Sequence, residues 1–310
     1  MKKELELYGK VTESVSLKLH TTYKTGGSAK YFLQPNSIEN LKNAIKFLKE
    51  RKESYFILGN GSNLILSDND YNGTIIKLDL LNHYEIDEDN LVLKADAGVF
   101  IPPLVLSLAK AGYSGFEWAG GLPGTIGGAI YANAGAYKVE IADMILDVTI
   151  LEGNEIKTIN REEIEFSYRH SIFKDMEDVV ILHATLKLDK GDSQEILAKM
   201  KKRAAKRINS QPLEFPSAGS VFRNPDEEIY QEQFEKYNIE IKSAGHLIER
   251  CGLKGYQIGG AKVSEKHANF IINTENATSR DIIDLITFIQ NNVKEKFEID
   301  LILEQIIVKW

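Results

Sequence analysis

The chain has 310 residues, room for two hydrophobic cores at roughly 100 to 200 residues per domain. Its 43% hydrophobic and 27% charged content is that of an ordinary soluble protein, and its net charge of −7 argues against non-specific nucleic-acid binding. The single cysteine, Cys251, excludes an intrachain disulfide and a multi-cysteine metal site. The start MKKELELYGK has no apolar run behind it and no stretch of about 18 apolar residues follows, so the chain reads as cytoplasmic, with no membrane span and no metal.

Residues 1–20 read as a short helix or arm. TYKTGG, Thr22–Gly27, bends the backbone ahead of an alternating strand at Ala29–Leu33. Ser37 opens a helix to about Lys52 with Ile38, Leu41, Ile45 and Leu48 on one face. Strand Tyr55–Leu58 then runs into GNGSN, Gly59–Asn63, and on into strand Leu64–Leu66. Gly-x-Gly after a strand, with Asp79 about twenty residues further on, superficially matches a dinucleotide fingerprint, but the third glycine and the following helix are missing. A turn of small polar residues between two strands can still wrap a phosphate with its amides and hydroxyls.

Further strands are predicted at Gly73–Leu78 and Leu91–Ala95, a helix at Pro102–Ala111, a hairpin of Met144–Leu151 and Glu155–Ile159 around Gly153 and Asn154, and a strand at Val179–Leu188. A helix from Asp192 to about Asn209 turns Ile196, Met200, Ala204 and Ile208 inward and leaves Lys199, Lys201, Lys202, Arg203, Lys206 and Arg207 on a basic face, either solvated or a field for phosphate-bearing ligands. Helices follow at about Ser243–Cys251 and at Arg280–Phe297, the latter capped by Thr278 with Asp281 three residues on, and the chain closes on strand Leu301–Val308. The class is α+β: a strand-rich region over 1–190 with Gly-rich loops at 59–63 and 120–128, and a smaller α+β domain over 191–310.

The stretch Gly120–Tyr137, GGLPGTIGGAIYANAGAY, holds six of the 23 glycines and no Lys or Arg. It suits an anion held by backbone amides, with Pro123 placed to start a helix, or else a packing turn between two elements. It is not a P-loop, because no Gly-Lys-Ser/Thr follows.

Three polar residues stand out. Arg169, in YRHSIF after the alternating Ile164, Phe166 and Tyr168, offers a planar fork for a carboxylate or an oxyanion, or is simply exposed. Ser220, in SAGSVFRNP, has no Gly-x-Ser-x-Gly elbow, which weakens a hydrolase reading and leaves a turn serine as the alternative. Glu304 is the only charge in LILEQIIV, on either a solvated face or a partly buried one.

From about residue 19 to the end, TYKTGG, ILGNGSNLIL, AGVFIPPLVLSLAKAGYSGFEWAGGLPGTIGGAIYANAGAY, YRHSIF, PSAGSVFRNP and AGHLIERCGLKGYQIGGAKVSEKHANFIIN occur in the order of the UDP-N-acetylenolpyruvoylglucosamine reductase family, which the chain resembles. The resemblance implies an FAD-binding fold of the vanillyl-alcohol-oxidase type followed by a smaller substrate domain. Gly59, Asn60, Gly61, Ser62 and Asn63, with Gly124, Thr125, Gly127 and Gly128, would grip the FAD diphosphate. Ser62 and Asn63 stand where some flavoproteins carry a linking His, so the FAD is expected to be dissociable, with NADPH as co-substrate and a UDP-sugar as substrate.

By the same resemblance Arg169, Ser220 and Glu304 are catalytic, and Tyr168, Asn224, Lys262 and His267 line the sugar-nucleotide site. The family's Leu-Glu-x-Glu-Val is replaced here by Leu301-Ile302-Leu303-Glu304-Gln305, so Asp300 is the alternative to Glu304. The short passage from Phe173 to Val179 implies the subclass lacking a tyrosine-bearing substrate loop. No obligate protein partner is expected. A flavin oxidase on the same fold and a non-catalytic nucleotide-sugar module are the competing readings.

Overall fold

A computed structural model describes residues 1–310. The chain forms two compact units: Met1–Val15, Ala29–Asn60 and Asn72–Lys206 make the first, and Ser16–Ser28, Gly61–Tyr71 and Arg207–Trp310 the second. This division differs from a single boundary after residue 190. Tyr23 and Ile65 are fully buried in the second unit's core, and Leu64–Leu66 pairs in parallel with Ile306–Val308, so two early segments belong with the C-terminal part.

In the first unit a four-stranded sheet runs in the order Gly9–Ser16, Ser28–Pro35, Tyr71–Lys77, Tyr55–Leu58, the last two parallel with Leu58 opposite Lys77. A five-stranded antiparallel sheet runs Glu155–Asn160, Ile145–Glu152, Val179–Lys187, Val92–Asp96, Tyr84–Asp87. Helix Ile38–Glu50 is capped by Ser37, whose hydroxyl accepts from the Asn40 amide, and buries Leu41, Ala44, Ile45 and Leu48. Helix Ile101–Lys110 carries proline in its first turn, where no amide partner is lost. The hairpin closes at Glu152 and Glu155, with Gly153 at φ +61° supplying the left-handed residue the tight turn needs.

Two expectations for this region need correction. The presumed N-terminal arm contains the strand Gly9–Ser16; it lies at a sheet edge and is largely exposed, so its sequence lacks the apolar alternation that announces a strand. The helix Ser193–Ser210 buries only Ile196 completely, while Ala204 and Ile208 face solvent, so its apolar stripe is covered at one end only.

The second unit pairs Gln257–Ile258, Ala261–Val263 and Ile271–Asn273 as a small antiparallel sheet. Helix Ser279–Phe297 starts in a reciprocal Thr278–Asp281 capping box, and Asp68 Oδ2 accepts from both the amide and the hydroxyl of Ser279 at 2.7 Å. Its buried face carries Ile282, Leu285, Ile286, Ile289, Val293 and Phe297.

The expected closing strand Leu301–Val308 is broken, and only Ile306–Val308 is a regular strand. Before it, Ile302 to Glu304 bonds to residues 221–223, and the chain changes partner at Gln305. The Gln305 side chain is buried there, donating to the carbonyls of Ala218 and Gly219 at 3.1 and 3.2 Å and accepting from Tyr23 Oη at 3.1 Å. Satisfying that amide fixes the bend.

Candidate functional site

In the first unit the two Gly-rich loops stand side by side. Asn60 Nδ2 donates to the Pro123 carbonyl at 2.8 Å, and a Cβ on Gly59 would lie 3.1 Å from Thr125 Oγ1. The helix begins at Ile126, with Thr125 as N-cap accepting from the Gly128 amide at 3.4 Å, so Pro123 lies outside the helix rather than at its start. The backbones of Gly124 and Gly127 are already engaged: their amides donate to Leu122 and Ala97 carbonyls at 2.9 Å. A Cβ on Gly127 would come within 2.7 Å of Ala97 Cβ, so this glycine lets helix and strand close up. At Gly127 the stretch is therefore a packing turn.

The rest of the first loop belongs to the second unit. Gly61 has φ +63° and no room for a Cβ, which would sit 2.2 Å from the His20 carbonyl oxygen, and its own carbonyl accepts from Thr22 at 3.2 Å. Ser62 is half-buried. Asn63 Nδ2 donates to the Glu304 carbonyl at 3.2 Å, and its carbonyl accepts from the Ile306 amide at 3.0 Å.

The glycine stretch has no cation of its own, but Lys77 is buried behind the first loop and its Nζ donates to the Gly59 carbonyl. Burial holds its amine below the usual lysine range, partly offset by Asp79.

Arg169 is the second residue of a two-residue turn, at φ +59°, between paired Phe166–Ser167 and His170–Ser171. Its Nη2 donates to the Gly135 carbonyl at 2.9 Å, and its Nη1 lies 3.6 Å from Glu140 Oε1. Asn133, buried and left-handed at the C-cap of helix Ile126–Ala132, donates to Glu140 Oε2 at 2.7 Å and to the Ser167 carbonyl at 2.9 Å. The far end of the glycine stretch thus holds the arginine hairpin. Tyr168 is exposed, and the Arg169 guanidinium lies 5.0 Å from its ring centre.

In the second unit Ser220 begins an extended segment held on both sides. Ser220 bridges Phe270, and the Val221 amide donates to the Asn269 carbonyl at 2.9 Å. On the other side Phe222 bridges Leu303, and the Glu304 amide donates to the Val221 carbonyl at 2.8 Å. Buried Asn269 clamps Phe222 at both its amide and its carbonyl, at 3.0 and 2.8 Å. Ser220 and Glu304 are both half-buried and sit on neighbouring paired segments. Asp300, by contrast, is ion-paired with Lys294 at 2.7 Å.

The remaining residues also fall in this unit. Asn224 is exposed, and its Oδ1 accepts from the Ala244 amide at 3.2 Å, beside the Ser243 cap of helix Ala244–Arg250. Lys262 Nζ is 3.4 Å from Glu265. His267 is half-buried, its Nδ1 accepts from the Asn269 amide at 3.3 Å, and burial together with Lys254 lowers its pKa.

Sequence reasoning missed Lys77, Asn133, Glu140, Asn269 and Gln305. Lys77 had a usable signal, a lone charge in the apolar run GTIIKL, the same signal that marked Glu304. The others are ordinary polar residues in loops and become visible only through their partners.

No group of three or more His, Cys, Asp or Glu side chains is placed to hold a metal, and no helix is long and apolar enough to cross a membrane. Residues 29–156 match an FAD-binding domain profile, which with the mixed sheets and helices defines an α+β flavin-binding protein. Residues 211–308 match the UDP-N-acetylenolpyruvoylglucosamine reductase C-terminal domain. Relatives of that name from Bacillus licheniformis and Caldanaerobacter subterraneus are 41% and 42% identical, covering 96% and 97% of this chain and 94% and 95% of theirs. The crystal structure of the reductase from Thermus caldophilus aligns over 97% of this chain and 99% of its own, with a TM-score of 0.78 and 31% identity. The chain belongs to the UDP-N-acetylenolpyruvoylglucosamine reductase family.

Proposed function

We propose that this chain reduces the enolpyruvyl group of UDP-N-acetylglucosamine enolpyruvate to the lactyl ether, giving UDP-N-acetylmuramate, with NADPH as reductant. The observation that carries the assignment of residues is that Ser220 and Glu304, both half-buried, lie on adjacent hydrogen-bonded segments. Support for the cofactor reading is that residues 59–60 and 123–125 stand within hydrogen-bond reach of one another and that a side chain on Gly59 would crowd them. Gly59–Asn63 with Gly124, Thr125, Gly127 and Gly128 would hold FAD non-covalently, and when bound it supplies the hydride that reaches the β-carbon.

The chain's own residues handle the charge and the proton. As hydride arrives at the β-carbon, negative charge accumulates at the α-carbon and its carboxylate. Arg169 balances that charge through its fork, and Glu304 polarises the group. Ser220 gives its proton to the α-carbon; a carbanion is basic enough to take it without a histidine to activate the hydroxyl. The proton and the hydride complete the saturated product. Tyr168, Asn224, Lys262 and His267 bind the sugar nucleotide.

The test is spectroscopic. The purified protein should show flavin absorption that NADPH bleaches under anaerobic conditions and that the enolpyruvyl sugar nucleotide restores. A folded preparation that contains no flavin and takes up none defeats the proposal.

A further inference from the structure

Lys77 ends the strand Tyr71–Lys77, level with Leu58 on the parallel strand whose next residue is Gly59. It is 7% exposed, unusual for a lysine without a carboxylate against it. The nearby acid, Asp79, is engaged by Gln34 Nε2 at 2.9 and 3.1 Å, and the ammonium's hydrogen bond goes to the neutral Gly59 carbonyl. A buried cation costs free energy unless it is compensated, so its retention behind this loop calls for a reason.

The reason lies in the peptide it grips. All peptide bonds are trans, and in a trans peptide the carbonyl and the following N–H point in opposite directions. Holding the Gly59 carbonyl inward therefore turns the Asn60 N–H outward, away from Lys77. That N–H makes no hydrogen bond within the chain, while the Asn60 side chain is tied to Pro123 across the loop pair. A cation on the carbonyl also polarises the peptide, making its N–H a stronger donor.

We propose that Lys77 is a cofactor-positioning residue: by fixing and polarising the Gly59–Asn60 peptide, it aims the Asn60 amide at the anionic diphosphate of the bound dinucleotide. The positive charge that the glycine stretch lacks is thus supplied from behind, through one peptide unit. This rests on the FAD reading above.

The experiment uses the full-length apoprotein, stripped of flavin, with FAD as probe. Lys77→Met is expected to raise the FAD Kd by roughly 10- to 100-fold, the range of one charge-assisted hydrogen bond. The apoprotein melting temperature should stay level or rise, because a buried charge is gone, while the FAD-induced rise in melting temperature shrinks. An unchanged FAD Kd, or a lower apoprotein melting temperature with an intact FAD-induced rise, overturns the inference and assigns Lys77 a purely structural role. Wild-type apoprotein that takes up no FAD overturns the cofactor reading and this inference with it. Should Lys77→Met not fold, the wild-type Asn60 amide proton gives the answer by NMR: a downfield shift on FAD addition supports the proposal, and an unmoved resonance overturns it.

Discussion

At Ser220 the proposed role as proton donor would separate two half-reactions that a structural role would not. Ser220→Ala keeps the extended backbone between Asn269 and Leu303, because that pairing uses main-chain groups. Flavin reduction by NADPH should proceed at the wild-type rate, while reoxidation by the enolpyruvyl substrate falls by about 10² to 10⁴, the usual contribution of a positioned acid. Stopped-flow absorbance resolves the two steps, and full turnover in the variant refutes the assignment. Ser220, Arg169 and Glu304 could be singled out in the sequence because each is chemically out of place among its neighbours. What holds them could not. Asn133 and Asn269 act through hydrogen bonds to residues 34 and 47 positions away, and Glu140 through an ion pair 29 positions away; no local pattern encodes such partners.

Among the elements, helices were the most legible. Ser37 and Thr278 cap their helices as their sequences imply, because a cap is a local contest for the first amides. The edge strand Gly9–Ser16 and the break at Gln305 were not legible, since their reasons are neighbours distant in sequence. The two Gly-rich loops use glycine differently. A Cβ on Gly59 would lie 3.1 Å from Thr125 Oγ1 across the loop pair, whereas Gly127 serves the contact of helix Ile126–Ala132 with Ala97. Gly127→Ala should therefore destabilise the first unit by about 1–3 kcal/mol through overpacking, measured by urea unfolding. An unchanged midpoint would mean that helix and strand separate at no cost.

For the molecule as a whole, the discontinuous second unit has a direct consequence for dissection. Residues 207–310 made alone lack Tyr23 and Ile65 from their core, the strand Leu64–Leu66 beside Ile306–Val308, and the Asp68 cap of the longest helix. Such a fragment should show no cooperative thermal transition by circular dichroism, and a sharp transition would show that the early segments are dispensable. Composition made two cores legible, but the assignment of residues 16–28 and 61–71 was not, because both lie inside a run of strands and turns that reads continuously into the first unit.

The bond between Tyr23 and Gln305 joins residues 282 apart, and that between Asn273 and Tyr23 residues 250 apart. Translation at about 5 to 20 residues per second puts roughly 15 to 60 s between the emergence of Tyr23 and that of Gln305. The first unit has all its residues once Lys206 has left the ribosome, but the other core cannot close until Gln305 has emerged as well. Until Gln305 emerges, Tyr23 waits without that native neighbour, so the nascent chain carries an apolar surface for chaperones to cover.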